Sequence, residues 1–348
     1  MANVTKPIVL DETLKETNRI LNKAWIHGDI LVSISRDWTV ANDGSETYGD
    51  PIPFDAFLEA VENETFNTVG AVVKMTNAFN GNPLRCVVIG KKHDVLAETD
   101  EGGLEPSGTK AKLTFHVIDI PFKKVGLGLP MDTSGITGHL RVNEDSDTDI
   151  NDCRQIQIYE SAPSNMGGYP TAVGLRQAEQ AFYDGLHPKL QAAIKVVRKD
   201  IFISRMSDGD NYETFDSTAT VIAFDGDRYM SQVYTKVFSL SATEVGIIPN
   251  PSDNGADHFP YSCVDCDGND AMLEGTKYEY FNETYPYTSE NQNDRRRPRF
   301  SNGELYYYWL RSPYLDYSGG WGGVYGVGGV SYGGTYIDGG GVAPAFCI

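Results

Sequence analysis

The sequence predicts an α+β protein, and three observations predict it. Runs rich in β-branched and aromatic residues recur from Val69 onward with polar loops between them. The best helical periodicity, at 171–199, stands as one block instead of following each strand in turn. The first 65 residues have helical spacing of their own, ahead of the first strong strand signal.

Asp11 is the expected N-cap of a first helix, in which Leu14, Leu21 and Trp25 recur at heptad-like spacing before Gly28 closes it. A second helix is expected over Phe54 to Glu64, after Pro51 and Pro53, with Phe54, Phe57, Leu58 and Val61 on one face. Residues 1–65 therefore read as a helical attachment or oligomerisation segment, and 66–348 as the body. Strands are expected at 69–75, 84–89, 113–118 and 156–159. The polar stretches 98–110 and 143–152 read as loops. The second holds Glu144, Asp145, Asp147, Asp149 and Asp152, but their spacing is not that of an EF-hand, so a solvated acidic loop is favoured over a calcium site. Residues 171–199 read as two helices broken at His187-Pro188, with Leu175, Ala178, Phe182, Leu190, Ile194 and Val197 as apolar positions. Thr218–Phe224 and Arg228–Val233 flank Asp225-Gly226-Asp227 as a hairpin.

Composition narrows the function. The 348 residues carry 48 acidic and 29 basic side chains, a formal charge of −19, with 40% hydrophobic and 11% aromatic content. That suits a folded chain with a sizeable core, and it disfavours nucleic acid and anionic membranes as partners. No apolar run is long enough to span a bilayer, and Met1 to Glu12 does not read as a secretory signal peptide. Five cysteines (Cys86, Cys153, Cys263, Cys266 and Cys347) are too sparse for a disulfide framework, so synthesis in a reducing cytoplasm is expected.

Motifs with an assignable chemistry are few. Cys263-Val-Asp-Cys266 has the spacing of a zinc or redox pair, but no second ligand pair follows at finger-like spacing, and a polar loop with two incidental thiols is favoured. Asp265, Asp267, Asn269 and Asp270 in the same loop give a weak calcium alternative. Arg295-Arg-Arg297 with Arg299 is expected to pair with the chain's own carboxylates. No nucleophile elbow, Walker loop or HExxH motif is present, and the six histidines stand apart from one another in sequence. No cofactor is expected.

The C-terminus is the informative segment. Between Gly319 and Gly341, 12 of 23 residues are glycine, and from Tyr314 to Gly341 there is no Lys, Arg, Glu, Gln, Met, His or Asn. A flexible low-complexity tail is the plain reading of such a composition. Trp309, Leu310, Trp321, Val324, Val330, Val342 and Phe346 recur through the segment as apolar anchors, which a disordered tail does not need. Tyr, Ser, Gly and Asp together are the composition of antibody binding loops, where Tyr gives large contact area at low entropic cost. The segment therefore reads as a binding surface on a rigid scaffold.

Tyr308-Trp-Leu-Arg-Ser-Pro313, Trp321, Val324, Gly328, Val330 and Gly341-Val-Ala-Pro-Ala-Phe346 closely resemble the variable proteins of diversity-generating retroelements, those with a C-type-lectin fold of the formylglycine-generating-enzyme type. Lys236–Gly246 and Glu274–Phe281 resemble that family's lead-in, and Val87–Asp94 does so more weakly. The resemblance is strong over 236–348, extends to about 66 and is absent before it. It implies that an error-prone reverse transcriptase randomises adenines of Asn codons, giving an alphabet that includes Tyr, Gly, Ser, Asp, Thr, Ile, Val, Ala and Leu but not Lys, Glu, Gln, Met or Trp. The segment obeys that rule, with Trp321 as a fixed residue. Two departures stand out: Ala343 occupies a position where the family commonly has Arg, and Ser331–Gly341 is one residue longer than expected.

The resemblance implies a ligand- or receptor-binding function without catalysis. Tyr314, Asp316, Tyr317, Tyr325, Ser331, Tyr332, Tyr336 and Asp338 are the expected side-chain contacts, and Gly319, Gly320, Gly323, Gly329, Gly333 and Gly334 further variable positions shaped as concavities. Trp309, Leu310, Trp321, Val324, Val330 and Pro344 are the expected frame. The implied setting is a phage or prophage virion, contacting a host-surface protein or glycan, with the N-terminal segment joining other virion proteins and copies arrayed as a trimer or another symmetric oligomer. Two rivals follow: a structural virion protein with a Gly-rich packing tail, and a formylglycine-generating-type oxidase, which needs an active-site cysteine pair where the C-terminal segment offers only Cys347.

Overall fold

Residues from near both ends of the chain meet in one seven-stranded antiparallel sheet. The computed structural model describes residues 28–35, 40–41, 44–100, 103–123, 173–204, 221–225, 228–248, 274–281, 285–286, 299–313, 320–326, 328–334 and 340–348. In chain order the elements are β1 (Leu31–Ile34), β2 (Ile52–Pro53), α1 (Phe54–Glu62), β3 (Val72–Phe79), β4 (Asn82–Lys91), β5 (Val95–Asp100), β6 (Gly103–Lys110) and β7 (Leu113–Val117). Then come α2 (Val173–Gly185), α3 (Pro188–Ala193), β8 (Val197–Ser204), β9 (Val221–Asp225), β10 (Arg228–Thr235), β11 (Val237–Phe238), β12 (Ile247–Ile248) and β13 (Tyr285–Pro286). The last are β14 (Arg299–Ser301), β15 (Glu304–Tyr306), β16 (Tyr308–Pro313), β17 (Gly320–Val324), β18 (Val330–Gly334) and β19 (Ala345–Cys347).

The large sheet runs β11-β19-β7-β4-β3-β1-β2, and a five-stranded sheet runs β6-β5-β8-β10-β9. The C-terminal strand β19 is interior, paired with β7 through Phe346 and Phe115 and with β11 through Phe346 and Val237. β4 is buried from Leu84 to Gly90 because both of its faces are covered. Leu84, Cys86 and Val88 enter a core shared with Phe54, Phe57 and Val61 of α1 and Leu175, Ala178 and Phe182 of α2. Val87 and Ile89 face a second core with Val245, Tyr278, Tyr308, Leu310 and Val324. The protein is thus mixed α and β, dominated by antiparallel sheet with few helices among the described residues.

Three expectations need correction. The segment 1–65 is not separate from the body over its described part: Val32, fully buried, pairs with Met75 of β3 and with Ile52 of β2, and α1 packs into the main core. A four-residue strand has too little periodicity to stand out beside the helical spacing around it. The expected first helix lies outside the described residues. The 98–110 stretch is the β5–β6 hairpin, with Glu98 opposite Glu105 and Thr99 opposite Leu104. Its composition is loop-like because β6 is an edge strand, where Pro106 is tolerated. Helix does not continue to 199 either, since α3 ends at Ala193 and Val197 begins β8.

The break at His187-Pro188 is as expected and has a local cause. His187 caps α3 by accepting the Lys189 N–H on Nδ1 at 3.2 Å, and Pro188 takes the first helical position, where no N–H is needed. The β9–β10 hairpin also forms, with Arg228 opposite Asp225. The strand expected at 156–159 and the acidic loop at 143–152 lie outside the described residues, as do Cys153, the Cys263–Cys266 loop and Arg295–Arg297. Arg299 is described and fully buried.

Candidate functional site

The C-terminal segment forms a three-stranded antiparallel sheet, β16-β17-β18, anchored on the second core. Trp309 pairs with Gly323, Tyr308 with Val324 and Pro313 with Trp321, while across β17–β18 Gly322 faces Tyr332 and Gly323 faces Ser331. Alternation sends Trp309 and Trp321 into one core and Tyr308, Leu310 and Val324 into the other. The indole N–H of Trp321 donates to the Leu310 carbonyl at 2.7 Å, which satisfies the one polar group of that buried ring. Leu310, Val324 and Pro344 are buried as well, and Val330 opens β18 opposite Val324.

Of the residues named as variable, Gly320, Gly323, Tyr325, Gly329, Ser331, Tyr332, Gly333 and Gly334 fall on β17, β18 and the turn between them. That turn closes with the Tyr325 N–H on the Gly329 carbonyl at 2.8 Å and the Gly328 N–H on the Tyr325 carbonyl at 2.8 Å. Gly328 has φ +88°, a backbone region open to glycine. Tyr325 is 44% exposed and its ring lies 4.9 Å from that of Tyr307, whose other edge meets Trp309 at 5.0 Å. Leu305, half exposed, lies against Gly326. Gly323 differs from the open concavity expected of it: a Cβ there would lie 2.0 Å from the Tyr307 hydroxyl oxygen and 2.2 Å from its ring, so the space is filled. Gly340 is held in the same way against the Trp309 indole, where a Cβ would lie 2.2 Å from Nε1. Some of the glycine content therefore serves close packing. Tyr314, Asp316, Tyr317, Gly319, Tyr336 and Asp338 lie outside the described residues.

Four segments, Val87–Asp94, Lys236–Gly246, Glu274–Phe281 and the strand β16, converge on one buried polar network. Arg311 of the Leu-Arg-Ser-Pro run clasps Glu244 in a two-point pair, Nη1 to Oε2 at 2.5 Å and Nη2 to Oε1 at 3.0 Å. Its guanidinium also donates to the carbonyls of Ser239 and Glu274 at 2.9 and 3.1 Å. Ser312 donates to the Glu274 carboxylate and accepts the Ala242 N–H. Lys199 joins Glu244 at 3.0 Å to Asp94, and donates to the Tyr278 hydroxyl at 2.6 Å. Asp94 also accepts from Thr114 at 2.5 Å and from the Cys347 thiol at 3.3 Å. Glu244 is placed by a capping box, its N–H donating to Ser241 Oγ and its carboxylate accepting the Ser241 N–H. The Ser241-Ala-Thr-Glu244 spacing is the sequence signal for this box.

Burial shapes the electrostatics here. It opposes ionisation of Asp94, but Lys199 outweighs it and pulls the carboxyl down to about 2. Glu244 is likewise lowered, burial being overcome by Arg311 and Lys199. Burial pushes the Tyr278 hydroxyl and the Cys347 thiol well up, helped by Asp94, so both stay protonated donors. His116 is driven well down by burial and by Arg299; it accepts from Arg299 on Nδ1 at 2.5 Å and, as the neutral Nε2–H tautomer, donates to the Ala343 carbonyl at 3.0 Å. Buried Arg299 and the Ala343 carbonyl thus flank the two ring nitrogens of His116. Cys86 and Cys347 are free buried thiols on opposite faces of the sheet.

A pH prediction follows. Asp94 has a folded pKa below its unfolded value of 3.8, so its contribution, about 2 kcal/mol, is present above about pH 4 and is lost as pH falls through about 2. Glu244 acts in the same direction. Urea midpoints at a series of pH values should fall steeply below pH 4, and Asp94→Asn should flatten that fall. A midpoint unchanged down to pH 2.5 would remove the assignment.

Among the described residues no group of three or more His, Cys, Asp or Glu could hold a metal ion, and no helix is long and apolar enough to cross a membrane. The site is therefore a glycine- and tyrosine-rich sheet on a buried ionic base, in a predominantly antiparallel mixed α and β protein. Residues 155–348, more than half of the chain, match DUF6273, a domain of unknown function, and the chain belongs to that family. No curated protein and no solved structure matches the chain.

Proposed function

We propose that the protein is a binding protein whose C-terminal sheet and loops present a retroelement-diversified surface to a host-surface protein or glycan. It has the C-type-lectin-like architecture of formylglycine-generating-type domains and is carried on a phage or prophage virion, joined to other virion proteins through its N-terminal segment, 1–65. The observation that carries the reading is the division of one short segment into two classes: Trp309, Leu310, Trp321 and Val324 are buried, whereas Tyr325 stands 44% exposed on a turn between glycine-rich strands. Large side chains with low entropic cost on a rigid frame suit recognition. The buried network supports it further, since it fixes β16 without using any residue of the exposed turn. One such face binds weakly, and an array of copies, such as a trimer, raises effective affinity by about 10²-fold or more. Among the described residues no cysteine pair supports an oxidase reading, since Cys347 and Cys86 are buried and separated by the sheet.

The test is amplicon sequencing of the codons for 309–348 across a population of the source organism, with a search of the flanking DNA for a near-copy. Substitutions are expected at Tyr314, Tyr325, Ser331, Tyr332, Tyr336 and Asp338, with Trp309, Trp321 and Pro344 invariant. Gly323 is expected to vary less than its glycine neighbours, because Tyr307 fills its space. An invariant segment with no near-copy would favour the structural virion protein.

A further inference from the structure

We infer that the cleft between α2 and the β10–β11 junction is a binding site for a small organic monocarboxylate. The cleft encloses about 250 Å³ and is lined by Arg176, Glu179, Gln180, Tyr183, Tyr234 and Lys236, among others. That volume is just below the range of pockets for drug-sized ligands and suits a molecule of one ring.

The charges in the cleft are unequal. Glu179 is already neutralised: one oxygen accepts the Ser239 N–H at 2.7 Å and the other meets Arg176 Nη1 at 3.1 Å. Lys236 has no carboxylate within ion-pairing distance among the described residues. Its ammonium donates to the Tyr183 hydroxyl at 2.8 Å and sits 4.8 Å from the centre of that ring. One of its three N–H donors is thereby used, leaving two for a ligand. Among the described residues that line the cleft, Arg176 and Lys236 carry two positive charges against the one negative charge of Glu179, in a chain whose net charge is −19. A monoanion balances the charge of that lining, whereas a phosphate dianion leaves an excess negative charge in a partly enclosed site. Gln180 and Thr235 do not compete, being bonded to Asp184 and to the Val237 carbonyl. The ring of Tyr234 adds apolar contact for the body of the ligand. The cleft is separate from the C-terminal sheet, and the inference is independent of the display function.

The full chain is titrated with sodium benzoate and with D-glucuronate by calorimetry and amide NMR, with D-glucose and inorganic phosphate as comparisons. At least one carboxylate is expected to bind with a Kd of about 1 mM or tighter, shifting residues of α2 and β10. Lys236→Met should weaken it about tenfold or more while Lys236→Arg retains most of the affinity. Arg176→Met, at a half-buried position of α2 paired with Glu179, should weaken it as well, and Lys236→Gln, which keeps a polar tip at its own half-buried position, covers the case in which Lys236→Met misfolds. Absence of binding by both carboxylates, tighter binding of phosphate, or equal affinity in folded Lys236→Met overturns the inference.

Discussion

Lys199→Met is expected to cost about 3–5 kcal/mol of folding stability. Lys199 is 2% exposed and its ammonium is shared between Asp94 and Glu244, each with a side chain no more than 3% exposed. Methionine keeps the stem packed on Phe238, whose ring centre lies 3.8 Å from the ammonium, and removes only the charge. Asp94 is then left in a low-dielectric interior without its cation, while Glu244 retains Arg311. The urea midpoint at pH 7 measures the loss. The double variant Lys199→Met, Asp94→Leu should be more stable than the sum of the single effects, because the orphaned carboxylate is gone. A loss below about 1 kcal/mol would show that water or rearrangement solvates the pair, and that the network does not hold the second core together.

Trp321→Ala should cost about 3–5 kcal/mol, and Tyr325→Ala about 1 kcal/mol or less. The two residues stand four apart on one strand and its turn. Trp321 is 1% exposed in the main core, with its indole N–H bonded to Leu310, whereas Tyr325 is 44% exposed and contacts chiefly Tyr307. Paired urea titrations check the contrast. Similar losses at both positions would mean that the exposed turn is structural, which would count against display. Under the proposed display function, binding to intact host cells should respond in the opposite order once destabilisation is controlled, because Tyr325 is 44% exposed and Trp321 is buried.

How much of this was legible in the sequence depends on where each element takes its instructions. Helix α1, the α2–α3 break, the β9–β10 hairpin and the strands at Val72–Phe79, Asn82–Lys91 and Leu113–Val117 carry local signals: amphipathic spacing, Pro at a first helical turn, a short polar turn, and β-branched runs. The burial of Trp309, Leu310, Trp321 and Val324 follows from apolar residues recurring in an otherwise glycine-rich stretch. Strand β1 and the β5–β6 hairpin were not legible, since their identity comes from partners about 20 to 43 residues away for β1 and from an edge position for β6. Nor was Gly323, whose space is decided by a tyrosine sixteen residues earlier.

By itself, then, the sequence determined the mixed α and β character, the apolar anchors and the composition of the C-terminal segment, because those depend on residue type and spacing along the chain. Only the tertiary structure decided that Asp94, Lys199, Glu244, Tyr278, Arg311 and Cys347 form one network, and that Arg176 and Lys236 share a cleft. The physical reason is range: propensity and periodicity act over a few residues, whereas a buried charge is defined by partners brought from as far as 253 positions away.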